Sequence, residues 1–272
     1  AYPEVHDFED APVEKPAEKY DIEPAADRAA PEDRVEGSTL EETYERVPTQ
    51  EYAAALASGE ESLSVDNDFA RQLAHLRASI DQIFTTGESK VLMFAGSVPG
   101  EGASMTAASF AQMLADDPRL RVAYIDADFR NEDLRPVDTV EPGTGLASVL
   151  VRRAAASDSI HTSNRLDILP SEGIHKDPYQ ICSEEHLAPL LRYLRSQYHF
   201  TIIDAAPVLN APETSVLAGM VDGVVMVVHA GRTKREIVKR SVERMGKYSA
   251  RVLGVVMNRQ QYVIPEFIYR RL

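Results

Sequence analysis

Three groups of residues have the types and spacing that phosphate and magnesium chemistry needs. The first is the run Phe94-Ala95-Gly96-Ser97-Val98-Pro99-Gly100-Glu101-Gly102-Ala103-Ser104-Met105, in which an apolar strand-like stretch gives way to a glycine-rich turn and then to a helical pattern. Glycines at such a turn let the backbone curl, so that successive N–H groups aim at phosphate oxygens. The N-terminus of the following helix adds the positive end of its dipole. Ser97, Pro99, Gly100, Glu101, Gly102, Ala103, Ser104 and Met105 are therefore candidate nucleotide contacts, and the Ser104 hydroxyl stands where it would ligand magnesium. The spacing asks for lysine at position 103. The chain has alanine there, and no lysine occurs between Val91 and His175.

The second group is Tyr124-Ile125-Asp126-Ala127-Asp128-Phe129-Arg130, and the third is Ile202-Ile203-Asp204-Ala205-Ala206-Pro207. In each, an apolar strand pattern ends in carboxylates. Asp126 and Asp128, paired at the end of a parallel strand, can hold magnesium and polarise an attacking hydroxyl, and Asp204 stands where a nucleotide-binding sheet places a second magnesium contact. An isolated acid of this kind is more often a helix cap or a solvated charge. Three such acids beside a glycine-rich loop form a site with four candidate magnesium ligands: Ser104, Asp126, Asp128 and Asp204.

These groups need a scaffold, and the apolar periodicity supplies one. Phe69, Leu73, Leu76, Ile80 and Ile83 recur at helical spacing, with Asp66 as a plausible N-cap and Gly87 as a stop. Strands are expected at Val91–Ala95, Arg121–Ile125, Leu166–Pro170, Phe200–Ile203, Val224–His229 and Val252–Met257. Helices are expected at Ala103–Ala115, Leu146–Arg152, Glu184–Tyr198 and about Lys234–Lys247. Strands alternating with helices predict an α/β fold, with a mostly parallel sheet covered by helices on both faces. Ligands of such sheets lie beyond the carboxyl ends of the strands, where the three groups fall.

Composition divides the chain. Residues 1–65 hold 18 acidic and 5 basic side chains and are interrupted by prolines, whereas the rest holds 25 acidic and 24 basic side chains. Residues 1–65 are expected to be a disordered acidic arm, since they carry too few large apolar groups to offset ordering entropy. Residues 66–272 are expected to form one P-loop domain. Its near-neutral balance argues against a nucleic-acid partner. The single cysteine, Cys182, excludes a disulfide framework within the chain and suits a reducing compartment. No apolar run reaches the roughly 18 to 20 residues of a membrane span, and no signal peptide is visible at the start. His161, His175 and His186 have no metal-ligand spacing. Arg232, Lys234, Arg235, Lys239, Arg240, Arg244 and Lys247 make a basic helix, read first as a solvated face and second as a surface for a membrane or an acidic partner. The stretch Val263 to Leu272 is unusually apolar for a tail.

The run Pro99-Gly100-Glu101-Gly102, the Asp126-Ala127-Asp128-Phe129-Arg130 motif and the Ile202-Ile203-Asp204 motif resemble the Walker A, A′ and B motifs of bacterial tyrosine kinases. These are P-loop kinases of capsule and exopolysaccharide export that act with membrane chain-length regulators. The resemblance runs from about Asp68 to Leu272. It implies ATP or ADP with magnesium as ligands, a role for Asn258 beside the nucleotide base, a contact for Arg130 that is more often structural, and a site at the cytoplasmic face of the inner membrane. It also implies a membrane co-polymerase as partner and a homo-oligomer. The departures are the missing lysine, a tail with only Tyr262 and Tyr269 in place of a tyrosine cluster, and an oligomerisation motif reduced to Arg77, with Arg71 and Ala74 at the other two positions. The expectation is a degenerate regulatory member of that family with weak or absent turnover. The alternatives are a working ATP-dependent kinase in which another cation replaces the lysine, and a partitioning-type positioning ATPase.

Overall fold

The computed structural model describes residues 67–84, 87–130, 144–172 and 176–259. The chain divides into two units, Ala1–Glu45 and Arg46–Leu272, and every described residue lies in the second. The expected acidic arm, the Asp66 cap, His175 and the apolar tail lie outside the described residues.

Seven strands form one sheet: β1 (Lys90–Gly96), β2 (Val122–Ala127), β3 (His161–Ser163), β4 (Leu166–Leu169), β5 (Phe200–Ala205), β6 (Gly223–His229) and β7 (Val252–Asn258). Their order across the sheet is β3-β4-β2-β5-β1-β6-β7. All neighbours are parallel except β3 and β4. The central strands are short apolar runs buried along their whole length, as strands covered on both faces must be.

Alternate residues of these strands feed two cores. Leu92, Phe94, Tyr124, Ile202, Val225 and Val227 pack on the face of α1 (Asn67–Ile83) and α2 (Ala103–Ala115). Val91, Met93, Ile125, Ile203, Val224 and Met226 pack on the opposite face. That face is covered by α3 (Leu146–Leu150), α4 (Ala156–Ser159), α5 (Pro178–Ile181), α6 (Glu184–Gln197), α7 (Pro212–Ala218) and α8 (Arg235–Gly246). Helix α6 illustrates the logic. Leu187, Leu190, Leu191 and Leu194 recur at helical spacing and all four are buried.

The expected α/β architecture is the observed one, with differences of detail. Strand β3 was not expected. It makes a two-residue hairpin with β4 through Asn164 and Arg165, both at positive φ, without the glycine that usually marks such a turn. The short helices α4, α5 and α7 are not among the expected elements. Helix α3 stops at Leu150 rather than Arg152, because the chain turns left-handed at Arg152 (φ 58°). Among the described residues no helix is long and apolar enough to cross a membrane.

Candidate nucleotide site

The glycine-rich loop joins β1 to α2. Gly100 and Gly102 adopt φ of 82° and 86°, a region that side-chain-bearing residues enter only under strain. At Gly102 a Cβ atom would also stand 2.0 Å from Asn258 Nδ2. This close approach is built by β7, whose last residue donates its side-chain amide to the Glu101 carbonyl at 3.0 Å. Asn258, expected beside a base, is thus pressed against the loop itself.

Glu101 does not face solvent. It is 3% exposed, and its carboxylate turns back into the loop to accept the Ser97 and Val98 N–H groups, the latter at 3.0 Å. Its other oxygen accepts the Thr233 hydroxyl from the turn between β6 and α8. Two further loop carbonyls are used by the segment after β5: Val208 N–H donates to Gly96 O at 2.9 Å and Leu209 N–H to Ser97 O at 3.2 Å. The loop is therefore fixed from three sides before any ligand enters.

The acids meet as their positions at strand ends required. Asp126 and Asp204 are register partners on the adjacent strands β2 and β5. Both are buried. The Tyr124 hydroxyl donates to Asp204 Oδ2 at 3.0 Å. The Ser104 hydroxyl faces the same carboxyl group and favours its charged form, yet Asp204 Oδ1 is a buried oxygen without a hydrogen bond. Burial pushes the Asp126 carboxyl up to about 7, helped by the neighbouring charge of Asp128. Burial, and then the charge of Asp126, raise Asp204 well above the carboxylate range. Asp128 is less buried and is raised by desolvation against the opposing pull of the Arg130 N–H group and guanidinium.

A buried carboxylate pair with an orphaned oxygen and a hydroxyl alongside is the donor set of a hard dication. Among the described residues no three His, Cys, Asp or Glu side chains converge as metal ligands. Asp126, Asp204 and Ser104 would hold magnesium only with phosphate oxygens and water completing the shell, which is how that ion is usually bound. Magnesium held there would supply positive charge to offset the acids and a bound phosphate. The loop fits phosphate through its backbone and helix end but offers no ammonium group at Ala103.

Arg130, read as a possible phosphate contact, is committed elsewhere. Its guanidinium forks onto Glu213 of α7, with Nε to Oε1 and Nη2 to Oε2 each at 2.9 Å. Glu213 is 2% exposed, so the pair fixes the segment after β2 to α7, in the structural role the ordinary reading gave it. Three contributors were missed: Tyr124, Thr233 and Glu213. Tyr124 carried a usable signal, because it is two residues before Asp126 and shares its face of β2. Thr233 and Glu213 carried none, since each acts through a contact 132 or 83 residues away.

No protein-family model matches the chain. Tyrosine-protein kinase YwqD of Bacillus subtilis is 29% identical over 191 residues, which span 70% of this chain and 80% of that protein. The succinoglycan biosynthesis transport protein ExoP of Rhizobium meliloti is 30% identical over 196 residues; the match takes in 70% of this chain but only 25% of ExoP. The kinase domain of the Escherichia coli tyrosine kinase ETK superposes with a TM-score of 0.66 at 22% identity, over 75% of this chain and 83% of that one. A ParA family ATPase from Chlorobium tepidum shares the fold at a TM-score of 0.52 and 17% identity. The glycine loop, the paired strand-end acids and these relatives agree: over about 70% of its length the chain is similar to bacterial tyrosine-protein kinases, and it shares their fold.

Proposed function

We propose that this chain is a degenerate, regulatory member of the bacterial tyrosine kinases. In this reading it acts at the cytoplasmic face of the inner membrane, with a membrane co-polymerase of exopolysaccharide or capsule synthesis. It binds ATP or ADP with magnesium weakly and turns it over poorly. The observation that carries the reading is Ala103 at the lysine position of an otherwise assembled site. A lysine there contributes a charge-assisted bond worth about 1.5 to 3 kcal/mol to phosphate binding. Loss of comparable transition-state stabilisation costs on the order of a hundredfold or more in rate.

The names of the relatives supply the polysaccharide setting, through kinases and a succinoglycan transport protein. Residues 1–65 serve in this reading as a solvated acidic tether ahead of the domain at 66–272. The oligomer implied by the family is reduced or lost. The arginine retained from its motif, Arg77, lies near Asp81 and Asp117 of its own chain, at 3.6 and 3.7 Å.

The test is calorimetric titration of the full chain with ADP and ATP, with and without magnesium, alongside the Ala103→Lys variant. The expected outcome is weak, magnesium-dependent binding that the variant tightens by roughly 10- to 100-fold. Robust magnesium-dependent tyrosine phosphorylation by the purified chain would sink the reading and favour a working kinase that draws its cation from elsewhere.

A further inference from the structure

Between α3, α4 and α6 lies an open cavity of about 610 Å³, within the range of small-molecule and side-chain pockets. It shares no residue with the nucleotide site. Val149, Leu150, Pro189 and Leu190 give it apolar walls, and the Tyr193 ring lies beside them. Arg152 and Arg153 also line it, and no acidic side chain does. Both arginines are exposed, and neither has an ion pair with any described residue. His186 lines the same cavity, with Nδ1 held 3.1 Å from Ser183 Oγ.

The backbone under Arg152 makes the pair informative. Helix α3 ends with Arg153 N–H donating to Ser148 O at 2.8 Å and Arg152 at φ 58°. That is the left-handed helix stop at which glycine is favoured, because it carries no Cβ penalty. An arginine held there is strained, and strained side chains concentrate where they touch ligands. Two adjacent guanidinium groups without carboxylate partners among the described residues match a dianion, which each can engage through paired N–H donors. The apolar walls and the Tyr193 ring match a flat apolar body below that charge.

We propose that this cavity binds a phosphorylated phenol, the side chain of phosphotyrosine on another protein. Arg152 and Arg153 take the phosphate, and Pro189, Leu190 and Tyr193 hold the ring. The inference stands apart from the reading of the nucleotide site, since it requires neither nucleotide binding nor turnover by this chain. It makes the protein a reader of the modification that its relatives, named tyrosine-protein kinases, are named for.

The test titrates the full chain with phenyl phosphate and O-phospho-L-tyrosine, against tyrosine, phosphoserine and inorganic phosphate. Saturable binding of the two aryl phosphates is expected, at least about ten-fold tighter than of inorganic phosphate or phosphoserine. Arg153→Ala should weaken it about ten-fold or more. Arg152→Gly should weaken it similarly while leaving the melting temperature unchanged or higher, because glycine suits the left-handed stop. A purely structural arginine would not separate the two readouts. The proposal falls if aryl phosphates do not bind, if inorganic phosphate binds as well, if both variants bind normally, or if ADP displaces phenyl phosphate and so places it in the nucleotide site.

Discussion

Asp126→Asn should stabilise the protein above neutral pH and leave it unchanged in acid. The Asp126 carboxyl rises from an ordinary 3.8 to about 7, chiefly through burial beside Asp128. Between those values the unfolded chain has released the proton that the folded chain keeps. Stability is therefore fully present below pH 4, falls as pH climbs towards 7, and is level beyond it. At about 1.4 kcal/mol per unit, the full penalty is about 4 kcal/mol. The carboxyl shares its site with Asp204, so the separable part is taken as about 2 to 4 kcal/mol. Asparagine matches the shape without the charge and so removes the penalty. Urea unfolding of variant and parent at pH 4, 6 and 8 should give free energies that agree in acid and diverge by that amount at pH 8. Magnesium added together with ADP should raise the melting temperature of the parent at pH 8 and act less on the variant. A difference between variant and parent that does not change with pH would refute the argument.

Two further expectations concern the glycine loop. Gly102→Ala combines a φ of 86° with a Cβ 2.0 Å from Asn258 Nδ2, whereas Gly100→Ala combines a φ of 82° with open space; thermal denaturation should show a loss of about 2 to 4 kcal/mol for the first and about 1 kcal/mol for the second. Glu101→Ala strips the Ser97 and Val98 N–H groups of their acceptor, so it should cost about 2 to 4 kcal/mol in urea unfolding, with Glu101→Gln costing less.

The parts of this molecule legible in its sequence are those written in short-range patterns. The run Val91–Ala95 announced a buried strand by unbroken apolarity and Phe200–Ile203 by an apolar run broken only by Thr201, and both lie in the sheet centre. The glycine spacing announced the loop, and acids ending two apolar runs placed Asp126 and Asp204 at strand ends, but that the two strands are neighbours became visible only in the sheet. What stayed hidden was whatever depends on a distant partner. Glu101 was read as a nucleotide contact, but its carboxylate is taken by the Ser97 and Val98 N–H groups and by Thr233 from a turn far along the chain. Arg130 was read as a possible phosphate contact with a structural role more ordinary, and the partner that gives it that role, Glu213, lies far along the chain. Strand β3 was too short to show a period, and its turn uses Asn164 and Arg165 where glycine would have flagged it.

The order of strands carries a consequence for how the protein comes to exist. Strand β1 sits between β5 and β6, and its first residue, Lys90, is in register with Phe200. The loop residues are synthesised before the strand that brings Asp204 beside them, which follows about a hundred residues later. Pairings across such separations close large chain loops before any contact rewards them, and they are slow to form. Nascent chains lacking β5 hold the phosphate loop without its facing acid, so the site is completed only by the step that commits the sheet. Destabilising the β1–β5 seam should therefore slow folding and empty the site together, and the time course of refolding should match the time course of site recovery.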